Sequence, residues 1–152
     1  PEDVVLEGFA ETVMPGRFEV LGRQPLTIVD GAHNPPGADT CAQVFFDDFD
    51  PEGRRILVVG TLRDPEEMLA ALRADEFDVV FACTAPSPRG IPAAAVADAA
   101  RRLGCDDVYV FDTVEAACQR AMEYAGGDDA VLVTGSLYTA GAARPALQRY
   151  AN

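Results

Sequence analysis

A doubly wound α/β domain, with a mostly parallel sheet covered by helices on both faces, is predicted by three features of this sequence. Short continuous apolar runs at 56–59, 79–82 and 130–133 end in glycine, alanine or a small polar residue, the mark of strands buried on both faces. Such runs alternate with stripes of apolar residues at three- and four-residue spacing, the mark of helices with one buried face. Two earlier short runs, at 18–21 and 26–29, are instead joined by a tight turn and read as an antiparallel hairpin.

Taken in order, Val4 to Met14 is weakly patterned and stops at Pro15-Gly16-Arg17. Phe18 to Leu21 and Leu26 to Val29 form the N-terminal hairpin about Gly22-Arg23-Gln24-Pro25. From Pro36 to Phe49, residues Ala38, Cys41, Ala42, Phe45, Phe46 and Phe49 predict a helix, which Pro51-Glu52-Gly53 stops. Ile56 to Val59 is the next strand, ending in Gly60. Asp64 then supplies an N-cap, Pro65 a first helical residue, and Met68, Leu69 and Leu72 the buried stripe. The alternation continues with strand Val79 to Ala82 and helix Pro92 to Leu103, stopped by Gly104. It continues with strand Val108 to Phe111, the cap-like Asp112-Thr113 and a helix through Tyr124, and then with strand Ala130 to Val133 and a helical tail reaching Tyr150. Five strand–helix copies are thus expected after the opening hairpin. Parallel strands need crossovers, and these are right-handed almost without exception, so the expected product is a Rossmann-like sheet with an antiparallel edge.

Size and composition narrow the function. The 152 residues suit one domain spanning 1–152, and 49% apolar with 24% charged residues is ordinary for a soluble globular protein. No apolar run approaches the roughly 18 residues of a membrane span, and no signal segment precedes Pro1-Glu2-Asp3, so a cytoplasmic location is expected. A formal charge of −13, with every basic residue an arginine, argues against nucleic acid as a partner. Cys41, Cys83, Cys105 and Cys118 lack metal-site or redox spacing and read as reduced core thiols.

The carboxyl ends of parallel strands lie along one edge, where open α/β sheets bind ligands. That edge gathers Asp30, His33 and Asn34; Gly60, Thr61 and Asp64; Ser87 and Arg89; Asp112; and Gly135, Ser136 and Tyr138. A plainer reading of Asp30-Gly31-Ala32-His33-Asn34-Pro35 is a βα turn in which Asp30 and Asn34 satisfy backbone amides and cap the next helix. Ser136 reads equally as an anion contact at a helix start or as a cap. The dinucleotide fingerprint is absent, and without lysine the phosphate loop G-x-x-x-x-G-K-[ST] is impossible. One histidine excludes a histidine-rich metal site, and Ser136 lacks the G-x-S-x-G setting of a hydrolase nucleophile. The residues alone lead to an α/β domain with a polar ligand edge.

Five stretches in register take the reading further. Pro15-Gly16-Arg17-Phe18-Glu19-Val20, Asp30 to Pro35, Val59-Gly60-Thr61-Leu62 with Asp64, Pro88-Arg89, and Gly135-Ser136-Leu137-Tyr138 resemble the C-terminal domain of the folylpolyglutamate synthase and dihydrofolate synthase family, within the Mur ligase superfamily. The resemblance implies ATP-dependent formation of an amide between a folate or dihydropteroate carboxylate and L-glutamate. It also implies a central ATPase domain, absent from this chain, that carries the phosphate loop and the magnesium ligands. Arg17 and Asp30 are then expected at the nucleotide, His33 and Asn34 at the reacting groups, with Ser136 serving both these and glutamate, and Tyr138 and Arg89 around glutamate, with no metal ligand in this domain. Asp30 and His33 are expected to be solvent-exposed, and the isolated chain to be inactive. Where the family usually has Asp-Lys-Asp, this chain has Asp64-Pro65-Glu66, so Arg63 or Arg89 must replace that lysine or glutamate is held differently. Two alternatives stand beside this one: the C-terminal domain of a peptidoglycan muramyl ligase, and a stand-alone Rossmann-like module binding a small anion.

Overall fold

A computed structural model describes residues 18–150. The segment Val4 to Arg17, including the expected nucleotide contact Arg17, lies outside the described residues. Two strands, β1 (Glu19–Arg23) and β2 (Leu26–Val29), pair antiparallel, with a register shift between Val20 and Gly22. Then follow α1 (Pro35–Asp48), β3 (Arg55–Val59), α2 (Pro65–Ala71), β4 (Val79–Ala82), α3 (Ala93–Leu103), β5 (Val108–Val110), α4 (Val114–Tyr124), β6 (Ala130–Thr134) and α5 (Leu137–Gln148). The sheet order is β1-β2-β6-β3-β4-β5, parallel throughout except for the hairpin.

The alternating side-chain directions of each strand divide the core in two. Ile28, Leu57, Val59, Val80 and Leu132 pack under α1, α2 and α3, whereas Val29, Ile56, Val58, Phe81 and Val133 pack under α4 and α5. Both faces are dry, which is why these strands read as unbroken apolar runs. Helix starts follow local chemistry: Asn34, Asp64, Thr113 and Ser136 each accept a backbone amide of the first turn. Gly104, at φ +117°, closes α3.

The structure corrects several expectations. Four strand–helix units follow the hairpin; the fifth takes the hairpin's own second strand. Phe111 falls outside β5, and a 3-10 turn at Ala74–Glu76, entered through Arg73 in the left-handed region, had no sequence signal. The four thiols are free and buried. Burial pushes Cys118 up to about 12 and Cys105 up to about 11, so neither is a thiolate at neutral pH.

A buried carboxylate ties together the amino ends of β3 and β6. Asp129 accepts the amides of Arg54 and Gly126, each at 2.7 Å, and the Arg54 guanidinium at 2.9 Å, which itself lies over the Tyr124 ring. Burial alone would raise this carboxyl, but the two amides and the guanidinium outweigh it and hold it below its ordinary value. A depressed carboxyl stabilises the fold above its unfolded value, and that contribution is lost as pH falls toward the folded one. Asp129→Ala is therefore expected to cost about 2 kcal/mol at neutral pH. It should also flatten the loss of stability on acidification from about pH 5. Urea titrations of both proteins across that range measure it.

Candidate active site

β6 lies between β2 and β3, yet it leads into α5 on one face while its neighbours lead into α1 and α2 on the other. The strand tips therefore open into a crevice. Its floor is a close approach of two glycines. Gly135 has φ +122°, and a Cβ there would sit 2.3 Å from the Gly60 carbonyl oxygen. That carbonyl accepts the Thr139 hydroxyl at 2.8 Å, which in turn accepts the Ser136 hydroxyl at 2.9 Å. Ser136 also accepts the Thr139 amide at 2.9 Å. Ser136 and Thr139 are fully buried. Ser136, expected at the reacting groups and at glutamate, caps α5 beneath the crevice, its hydroxyl donating to Thr139 Oγ1 and accepting the Thr139 amide.

Above this floor lie two adjoining hollows. The smaller, of about 420 Å³, is lined by Leu62, Arg63, Arg89 and Tyr138 together with His33, Asn34 and Leu137. The last three also border the larger hollow, of about 550 Å³, whose walls include Phe18, Asp30, Gly37, Thr40 and Cys41. His33, Asn34 and Leu137 thus form a ridge shared by both.

The two hollows differ in charge. Neither the Arg63 nor the Arg89 guanidinium has a hydrogen-bonding or ion-pair partner among the described residues. Two exposed arginines without a partner among the described residues give this hollow a positive lining that would suit an anion. Tyr138 stands beside them, about half exposed. On the other side Asp30 is 7% exposed, a correction to its expected solvent exposure. Its two oxygens accept the amides of Phe18 and Ala32, each at 2.8 Å, and no cation pairs with it among the described residues. It borders the larger hollow with acceptor capacity to spare, suiting hydroxyl donors such as those of a ribose.

On the ridge, His33 is exposed, with Nδ1 3.2 Å from the Gly31 carbonyl oxygen. In the tautomer that donates this bond, Nε2 is the free acceptor. Asn34 accepts the Gly37 amide at 2.9 Å as the cap of α1, leaving its NH2 group without an acceptor among the described residues. Among the described residues no cluster of histidine, cysteine, aspartate or glutamate could hold a metal ion, and no helix is long and apolar enough to cross a membrane.

Sequence reasoning missed Leu137 and Thr139. Leu137 is 56% exposed and lines both hollows, ahead of the buried stripe of Ala140, Ala143 and Leu147. Thr139 gave no local sign, because its partner at Gly60 is 79 residues away.

Comparison with known proteins sets this geometry in context. Residues 16–137 match the family model described as Mur ligase, glutamate ligase domain. A probable bifunctional folylpolyglutamate synthase/dihydropteroate synthase of Haloferax volcanii is 39% identical over 146 residues, covering 93% of this chain and 17% of that protein. A bifunctional folylpolyglutamate synthase/dihydrofolate synthase of Yersinia pestis, solved with AMPPNP and Mn ion, superposes with a TM-score of 0.80 at 31% identity, over 97% of this chain and 34% of that one. A similar enzyme solved with Mn, AMPPNP and L-glutamate bound gives the same TM-score and identity, over 97% of this chain and 35% of that one. The chain thus spans about a sixth to a third of the length of these relatives.

Proposed function

The chain belongs to the Mur ligase glutamate ligase domain family, and on that premise we propose that it is the C-terminal domain of a cytoplasmic, ATP-dependent ligase joining L-glutamate to folate or dihydropteroate. The observation that supports this reading is the pair of arginines, Arg63 and Arg89, without a partner among the described residues, in a hollow that shares its ridge with a second one bordered by Asp30. Glutamate brings two carboxylates, and two free guanidinia with Tyr138 match that demand. Arg63 and Arg89 would thereby stand in for the lysine usual in this family, whose place is taken here by Pro65 at the start of α2.

In this reading Asp30 accepts ribose hydroxyls in the larger hollow, and Arg17 serves the phosphates. His33 and the Asn34 NH2 group lie at the ridge where the groups to be joined meet. The free Nε2 of His33 can take a proton from the incoming ammonium, which must lose one before its nitrogen can attack. ATP, when bound, supplies the activation of the accepting carboxylate; its magnesium ion is held by the rest of the ligase. Closure of that remaining part over the ridge would exclude water and align amine with carboxylate.

The test uses the chain itself. L-Glutamate titrated into the isotopically labelled protein is expected to shift the amide resonances of Leu62, Arg63, Arg89, Leu137 and Tyr138, and equimolar succinamide, which lacks the carboxylates, to leave them in place. Equal responses to both would overturn the anion assignment. Supplied with ATP and a folate, the chain alone is expected to form no amide, because the phosphate loop is absent; turnover would refute the division of labour.

A further inference from the structure

Phe18 has φ +42°, in the left-handed region that a bulky L-residue avoids. Nothing in a phenylalanine side chain favours that conformation, so a contact from elsewhere must hold it. The Phe18 amide donates to Asp30 Oδ1, while Asp30 Oδ2 takes the Ala32 amide. One buried carboxylate therefore ties the start of β1 to the loop that carries His33. Its own backbone amide donates to the Val133 carbonyl at 3.0 Å, which fixes the tie to the central strand. The Phe18 ring stacks on Phe49 at 5.8 Å between centroids, and Phe18 forms one wall of the larger hollow.

We propose that Asp30 is a latch that holds Phe18 in the left-handed conformation and so sets the wall of the larger hollow, acting as a positioning residue in addition to any contact with ligand. The functional half of this inference rests on the reading of that hollow as the nucleotide side. Glycine accepts positive φ without strain, so the latch is needed for Phe18 and not for a glycine in its place. This makes Asp30→Asn and Phe18→Gly a diagnostic pair. Asparagine keeps the size but has one oxygen, so its NH2 group must face one of the two amides.

Amide exchange on the chain alone tests the latch without any catalysis. Asp30→Asn should speed exchange of the Phe18 amide by about tenfold or more, the worth of one hydrogen bond, and abolish the left-handed carbon shifts of Phe18, with β3 and β6 amides still protected. Unchanged exchange and shifts at Phe18 in Asp30→Asn and in Asp30→Ala, which removes both oxygens, overturn the latch. In the ligase that carries this domain, Asp30→Asn is expected to raise KM for ATP about tenfold with a smaller change in kcat. It should do so by less when Phe18→Gly is already present. An equal rise in both backgrounds means that Asp30 acts by ligand contact alone, which overturns the positioning role. Failure of the glutamate titration, by contrast, overturns the functional reading and leaves the exchange result standing.

Discussion

Gly135→Ala is expected to destabilise the domain by about 3 kcal/mol and to lower Tm by about 10 °C. Two costs combine. At φ +122° any side chain is strained, and the added Cβ would sit 2.3 Å from the Gly60 carbonyl oxygen. That oxygen cannot retreat freely, because Thr139 donates to it and Ser136 donates to Thr139. Gly104→Ala separates the two costs: its φ of +117° is nearly the same, but nothing lies within 4 Å of a Cβ there. It should cost only the backbone strain, about 1 kcal/mol. Chemical denaturation of both variants measures the difference; equal losses would show that the close approach of the glycines contributes nothing.

The second large effect is expected at the anion hollow. In the ligase that carries this domain, Arg63→Ala combined with Arg89→Ala should raise KM for glutamate by about a hundredfold, since each charge-assisted hydrogen bond at a partly exposed site contributes about tenfold. Either arginine replaced by lysine should recover part of the affinity, because charge is kept and the planar fork is not. The fold should survive, as neither guanidinium has a partner among the described residues. Steady-state kinetics with ATP saturating give the result. An unchanged KM would remove both residues from glutamate binding.

The features legible in the sequence were those set by neighbours along the chain. Asp64 followed by Pro65, Thr113 before Val114 and Gly104 after Leu103 each act within one helical turn, and each stands where its local chemistry puts it. The plainer reading of the Asp30 turn also holds locally: Asn34 caps α1 and Asp30 accepts the Ala32 amide. What the sequence did not reveal is nonlocal. Asp30 also reaches Phe18, 12 residues away, and Ser136 lies beneath the site because Thr139 is bonded to Gly60, a partner brought near only when β6 inserts beside β3. A serine that caps a helix and a serine that touches a ligand look alike until the sheet order is known.

That sheet order bears on how the domain assembles. β6 is the last of the described strands in the chain, yet it occupies an interior position and joins the β1-β2 ribbon to the β3-β4-β5 wing. Before residues 130–134 emerge during synthesis, the described strands of the two halves share no ladder of hydrogen bonds, and the crevice has no floor. Seating this strand between earlier ones pairs residues far apart in sequence, an arrangement of high contact order. The same late insertion that completes the sheet creates the ridge between the two hollows, so a chain cut short of β6 lacks both the union of its halves and the binding edge.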